Sequence, residues 1–129
     1  MNPFSLTDRA ALVTGSSQGI GFAIANGLRE AGARVVFHGL QERMTTESCY
    51  VSVDLQQADG PARLIAAAFD AEPDLDTLVC NAGSFFDTPF LEMTPERWAT
   101  TMQLNITATY FVAQEFARRR VAARRGGCI

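Results

Sequence analysis

Residues 10–21 read Ala10-Ala11-Leu12-Val13-Thr14-Gly15-Ser16-Ser17-Gln18-Gly19-Ile20-Gly21. The run from Ala10 to Thr14 predicts a short buried strand bounded by a glycine-containing turn. From Gly19 the period changes. Ile20, Ala23, Ile24, Gly27, Leu28 and Ala31 recur at helical spacing, and Gly32 stops the helix. Strand, glycine turn and helix thus follow one another directly.

Working outward, Arg34 to His38 holds Val35-Val36-Phe37, a second strand, and Gln41 to Ser48 is polar and short. Cys49 to Val53 is a third strand, ending at Asp54. Pro61 suits the first turn of a helix carrying Leu64, Ile65, Ala68 and Phe69. Thr77 to Cys80 is a fourth strand, followed by Asn81-Ala82-Gly83. Thr94-Pro95 starts a long helix, with Thr94 as N-cap and Pro95 at the first helical position. Trp98, Met102, Asn105, Thr109, Val112 and Phe116 form its stripe; Ile106, Tyr110, Phe111 and Ala113 widen it. Such a helix is expected to be buried on more than one side. It should end in the arginine cluster before Gly126-Gly127, and Cys128-Ile129 read as the start of a fifth strand. Strands alternating with helices predict a parallel α/β sheet.

Composition bounds the function. All 11 basic side chains are arginine. The absence of lysine removes any P-loop lysine, Schiff base or lysine proton relay from this chain. An apolar share of 47% and a charged share of 19% describe a folded soluble protein. No apolar run approaches the roughly 20 residues of a membrane span, and the N-terminus lacks the pattern of a signal peptide. The three cysteines, Cys49, Cys80 and Cys128, fit no zinc pattern or disulfide framework. Cys80 reads as a small core residue, and a reducing cytoplasm is the expected setting. Five arginines and no acid lie in 116–129: Arg118, Arg119, Arg120, Arg124 and Arg125. They read as the cationic end of a helix rather than a nucleic-acid patch, since no stacking aromatics are interleaved.

The first N–H groups of the helix after the glycine turn lack intrahelical partners, and its dipole favours an anion. Glycine allows a sharp turn and close approach of a pyrophosphate. Gly15, Gly19 and Gly21 are therefore intelligible as a dinucleotide-binding turn. Thr14 can tie this turn to the Asn81 segment or bond its own strand-end backbone. Asn105, polar on an apolar stripe, reads as a satisfied core side chain.

The spacing Thr14-Gly15-x-x-x-Gly19-x-Gly21 resembles the first turn of the short-chain dehydrogenase/reductase family. Asp54-Leu55, Asn81-Ala82-Gly83 and Asn105 match further family positions in the expected order. The resemblance implies a Rossmann-like, doubly wound parallel sheet, truncated after the start of strand five. The whole length, 1–129, then reads as the N-terminal part of one NAD(P)-binding domain. Backbone groups around Gly15, Ser17, Gln18 and Ile20 are implied to face the cofactor phosphates. Asp54 is implied to accept from the adenine amino group, with Leu55 beside the ring. Asn81, Ala82 and Gly83 are implied to pass close to the adenosine ribose, with glycine leaving room for the ligand. Asn105 is implied to be the asparagine of the catalytic tetrad.

The implied activity is hydride transfer between a nicotinamide and an alcohol or carbonyl carbon of a small molecule. Sugars, polyols and 3-oxoacyl thioesters are the substrate classes it most resembles. The aligned acid position at the end of strand two is Gly39, which weakens a strict NAD reading. Arg43 could meet a 2′-phosphate or be a solvated loop residue, and the expectation leans slightly to NADP. His38 reads as a strand-end residue without a catalytic role. Phe85, Phe86 and Phe90 read equally as a pocket wall or as local packing.

The family's serine and Tyr-x-x-x-Lys have no match here; only Tyr50 and Tyr110 are present. The expectation is an enzyme fragment that binds a dinucleotide but does not catalyse. The alternative is a naturally short, non-catalytic dinucleotide-binding module or truncated pseudoenzyme. The full-length parent is implied to be a homo-oligomer, dimer or tetramer, with no nucleic-acid or membrane partner. Strand four would be an exposed apolar edge, so the segment alone is expected to be marginally folded.

Overall fold

A computed structural model describes residues 3–42 and 49–129. Strands β1 (Ala10–Val13), β2 (Arg34–Gly39), β3 (Cys49–Ser52) and β4 (Thr77–Val79) form one sheet in the order β3-β2-β1-β4. All three pairings are parallel, with Leu12 level with Val36 on one side and with Leu78 on the other. Every residue of β1 is buried, as a central strand covered on both faces requires. Helix α1 (Gly19–Glu30) covers one face, packing Ala25 against Val13, Val35 and Phe37. Helices α2 (Gly60–Ala71) and α4 (Thr109–Ala122) cover the other, where Leu64, Ile65, Val112 and Phe116 meet Leu12 and Leu78. The doubly wound Rossmann-like architecture is as expected.

The strands run β1, β2, β3 outward in one direction. The chain then returns to place β4 on the opposite side of β1. The order reverses between β1 and β4, and in open parallel sheets ligands settle in the crevice beyond the strand ends at such a point. Cys128 makes a single parallel bridge to Thr77; its N–H donates to the Asp76 carbonyl and its carbonyl accepts from Leu78 N–H, both at 2.9 Å. This is the expected onset of a further strand beside β4.

Three expectations are corrected. The long helix is interrupted: α3 (Pro95–Met102) and α4 are joined by a wide π turn over Gln103–Ala108. Side chains compete with its backbone, since Thr101 Oγ1 donates to the Arg97 carbonyl and Asn105 Nδ2 to the Thr101 carbonyl. The helix is buried on one side only. Val112 and Phe116 face the sheet, while Ile106, Tyr110 and Phe111 are exposed among the described residues. Cys80 is exposed as well, because regular pairing of β4 ends at Val79. The N-cap, by contrast, stands where expected: Thr94 Oγ1 accepts from Arg97 N–H at 3.2 Å and Pro95 opens α3.

The arginine cluster closes α4 and is largely spoken for. Arg120 is 8% exposed and donates from Nη1 to the Leu75 carbonyl at 2.9 Å and from Nε to the Gly126 carbonyl at 2.8 Å. Arg118 pairs with Glu115, Arg125 with Asp74, and Arg119 lies over the Phe69 ring.

Candidate functional site

The crevice at the β1/β4 reversal is a cavity of about 740 Å³. Most of its lining comes from four pieces of chain. The glycine turn gives Gly15, Ser17, Gln18, Gly19, Ile20 and Gly21; the end of β2 gives His38, Gly39 and Leu40. The segment after β3 gives Val53, Asp54 and Leu55, and the segment after β4 gives Asn81, Ala82 and Gly83. Of the expected binding residues, all but Thr14 border this one space. Thr14 lies beneath it, buried at the end of β1.

Thr14 holds the two loops together. Its Oγ1 accepts from the N–H groups of both Asn81 and Ala82 at 3.0 Å. In return, Asn81 Nδ2 donates to the carbonyls of Thr14 and Gly15 at 3.0 and 3.1 Å. Of the two readings open for Thr14, the tie between loops is the one present. Gly15 sits directly against Ala82: it has φ +64°, and a Cβ there would stand 2.8 Å from Ala82 Cα. Both the left-handed backbone and the close approach demand glycine.

Gln18 is the N-cap of α1 in an extended conformation and makes no side-chain cap. The leading N–H groups of α1 are therefore left to whatever enters the cavity. Asp54 turns its carboxylate onto its own loop, accepting from Gln56 N–H at 2.8 Å and from Gln57 Nε2 at 3.1 Å. Leu55 is buried in the core beneath the cavity floor.

Asn105 stands in the π turn and clamps the segment after β4. Its Nδ2 donates to the carbonyls of Ser84 and Thr101, and its Oδ1 accepts from Ser84 N–H at 3.1 Å. A Cβ on Gly83 would lie 2.6 Å from that Oδ1. The space glycine leaves is thus taken by the Asn105 amide. The reading of Asn105 as a satisfied side chain holds.

The sequence of this chain, matched against known families, fits the model described as short chain dehydrogenase over residues 9–129. The chain belongs to the short-chain dehydrogenase family.

Among the relatives of this short-chain dehydrogenase is the rhamnolipids biosynthesis 3-oxoacyl-[acyl-carrier-protein] reductase of Pseudomonas aeruginosa. The two are 38% identical over 126 residues, covering 89% of this chain and 49% of the relative. The gluconate 5-dehydrogenase of Gluconobacter oxydans is 34% identical, over 95% of this chain and 52% of its own length. Among solved structures, a 3-oxoacyl (acyl-carrier-protein) reductase from Agrobacterium tumefaciens with NADP bound superposes with a TM-score of 0.86. It is 34% identical, over 97% of this chain and 52% of its own. The short-chain dehydrogenase chain spans about half the length of the curated relatives it matches.

Within this member of the family, the end of β2 has no room for an acid. A Cβ on Gly39 would run into the Tyr50 hydroxyl and lie 2.8 Å from Ser17 Cβ. Arg43 lies outside the described residues. Phe85 and Phe90 are 79% and 92% exposed, so local packing does not account for them. Phe85 and Phe86 border a small recess with Ser84, Thr100 and Leu104; Phe90 does not. Sequence reasoning placed His38 at the strand end but missed its tie to the glycine turn, and missed Ser16 altogether. His38 Nδ1 accepts from Gly15 N–H at 3.0 Å, and Ser16 Oγ donates to the Val13 carbonyl at 2.7 Å. The signal was a histidine ending an otherwise apolar strand, level in the sheet with the glycine turn.

Proposed function

We propose that this chain is the dinucleotide-binding part of an NAD(P)-dependent oxidoreductase, and that residues 1–129 form one unit for that purpose. The observation that carries this reading is the convergence on one cavity of an uncapped helix N-terminus, the glycine turn, Asp54-Leu55 and Asn81–Gly83. These groups fit a dinucleotide. The N–H groups from Ser17 to Ile20 would hold its phosphates, Asp54 its adenine amino group, and Asn81, Ala82 and Gly83 its ribose. The bound nicotinamide supplies hydride chemistry toward an alcohol or carbonyl carbon. The 3-oxoacyl-[acyl-carrier-protein] and gluconate in the relatives' names make a small carbonyl or alcohol the substrate class for the parent enzyme.

The preference is for NADP. An NAD site places a carboxylate at the end of β2 to bond the ribose 2′-hydroxyl, and Gly39 offers none. Glu42 borders the same cavity, so the preference is a modest one.

This chain alone binds without turnover. Hydride transfer in the family draws on a tyrosine, a lysine and a serine. There is no lysine in the chain. Tyr50 belongs to β3 and Tyr110 to α4, and the residues four positions on are Asp54 and Gln114, not lysine. Asn105 is the one tetrad position proposed here. Work in the cytoplasm and homo-oligomeric assembly of the parent are part of the same proposal.

Titration with NADPH and NADH, followed by assay against a carbonyl panel, tests the reading. The expected result is saturable binding, tighter for NADPH, and no turnover by this chain. Equal affinities end the NADP preference, and absence of binding ends the reading. The missing lysine favours a second possibility, a non-catalytic binding module. A native mass of 14.0 kDa with tight binding and no activity would select it.

A further inference from the structure

His38 is 3% exposed, borders the cavity and makes four hydrogen bonds to Gly15, Ser16 and Val53. Its backbone N–H donates to Ser16 Oγ at 2.9 Å, and its carbonyl accepts from Ser16 N–H at 2.8 Å. Its ring Nδ1 accepts from Gly15 N–H at 3.0 Å, and Nε2 lies 2.9 Å from the Val53 carbonyl. The ring therefore spans from the glycine turn to the residue just before Asp54.

The partners fix the proton. A carbonyl only accepts, so Nε2 carries the hydrogen toward Val53. An N–H only donates, so Nδ1 toward Gly15 is bare. The neutral Nε2–H tautomer is the one form that satisfies both ends.

We propose that neutral His38 is the positioning residue of the dinucleotide turn, pinning the Gly15 amide through its Nδ1 acceptor. This rests on the proposed reading of the cavity as a dinucleotide site. The Thr14–Gly15 peptide is held at two points, its N–H by His38 Nδ1 and its carbonyl by Asn81 Nδ2 at 3.0 Å, ahead of a Gly15 at φ +64° that no Cβ restrains. With the Nδ1 acceptor removed, Gly15 N–H loses its protein partner and the peptide is held only through its carbonyl. The phosphate cradle then loses its fixed geometry. His38 touches the turn and never the reacting atoms.

The test is NADPH titration of the intact gene product carrying this chain, as wild type, His38→Leu and His38→Asn. Asparagine places Oδ1 where Nδ1 stands and keeps the acceptor for Gly15. Leucine removes both ring hydrogen bonds and asparagine only the one to Val53, so His38→Leu should weaken NADPH binding about tenfold or more, and His38→Asn less than about threefold. Imidazole nitrogen NMR of the wild type should report the Nε2–H tautomer, with the Nδ1 resonance moving when NADPH is added. This second readout decides if His38→Leu fails to fold. Unchanged affinity in folded His38→Leu, or an Nδ1–H tautomer, overturns the proposal while leaving the cavity reading intact. A wild type that binds neither NADPH nor NADH ends both.

Discussion

Thr14 Oγ1 receives two backbone N–H groups from the far side of the sheet's reversal point, those of Asn81 and Ala82, each at 3.0 Å. One hydroxyl at the end of β1 thereby sets the distance between the two loops that flank the cavity. Valine at position 14 has the same shape and no acceptor, leaving two part-buried N–H groups unpaired. Thr14→Val should destabilise the fold by about 2–4 kcal/mol and weaken dinucleotide binding in proportion to the loosened loops. Urea unfolding and NADPH titration measure the two effects. A variant as stable and as tight-binding as the wild type would show that the loops hold their spacing without this hydroxyl.

Arg120 does for the C-terminal end what Thr14 does for the cavity. Its buried guanidinium donates to the carbonyls of Leu75, just ahead of β4, and Gly126, beyond α4. Arg120→Met keeps the aliphatic stem but strands both carbonyls, and should cost about 2–4 kcal/mol. The other arginines of the cluster are surface groups. Arg118→Ala should stay within about 0.5 kcal/mol, although Arg118 also pairs with an acid. Denaturant midpoints of the two variants make the comparison, and equal midpoints would refute the distinction.

How far these features were legible in the sequence depends on whether the signal was local. The strands and helices followed from apolar spacing, and the glycine turn from its own residues. The break in the long helix did not. Asn105 reaches out of the helix to Ser84, a partner 21 positions away, and periodicity carries no record of such a bond. Arg120 read as one of five like cations because burial of a charge depends on carbonyls from elsewhere in the chain. Cys80 read as core because its neighbours in sequence are apolar. Its exposure follows from where pairing of β4 ends, a matter of topology.

Arg124 ends α4 at a cost. It has φ +55° while the N–H of Arg125 bonds the Arg120 carbonyl and that of Arg124 bonds the Val121 carbonyl. This is the Schellman arrangement, whose left-handed position favours glycine. Arg124→Gly relieves the Cβ clash without touching either hydrogen bond. It should raise stability by about 0.5–1 kcal/mol despite the loss of a cation. A thermal melt giving no gain would show that glycine's greater freedom in the unfolded chain cancels the relief.

Acid should weaken the fold in two separate windows. Burial pushes the His38 imidazole below its ordinary 6.5, only partly offset by its bond to Val53. The unfolded chain then takes up a proton near pH 6.5 while the folded chain does not. Stability therefore falls as pH drops below that value, and levels off once the folded imidazole is also charged. Asp76 moves the other way. Burial alone would raise its carboxyl, but bonds from Arg9, Thr77 and the Ala10 N–H outweigh burial and hold it below 3.8. Its stabilisation is complete above pH 3.8 and is lost as pH falls through its lowered value. Unfolding free energies from urea titrations at intervals between pH 8 and 3 should show both declines. His38→Asn should abolish the upper one and leave the lower, while Asp76→Asn should do the reverse. A wild-type curve flat from pH 7 to 5 would mean that His38 charges as readily inside the fold as outside it.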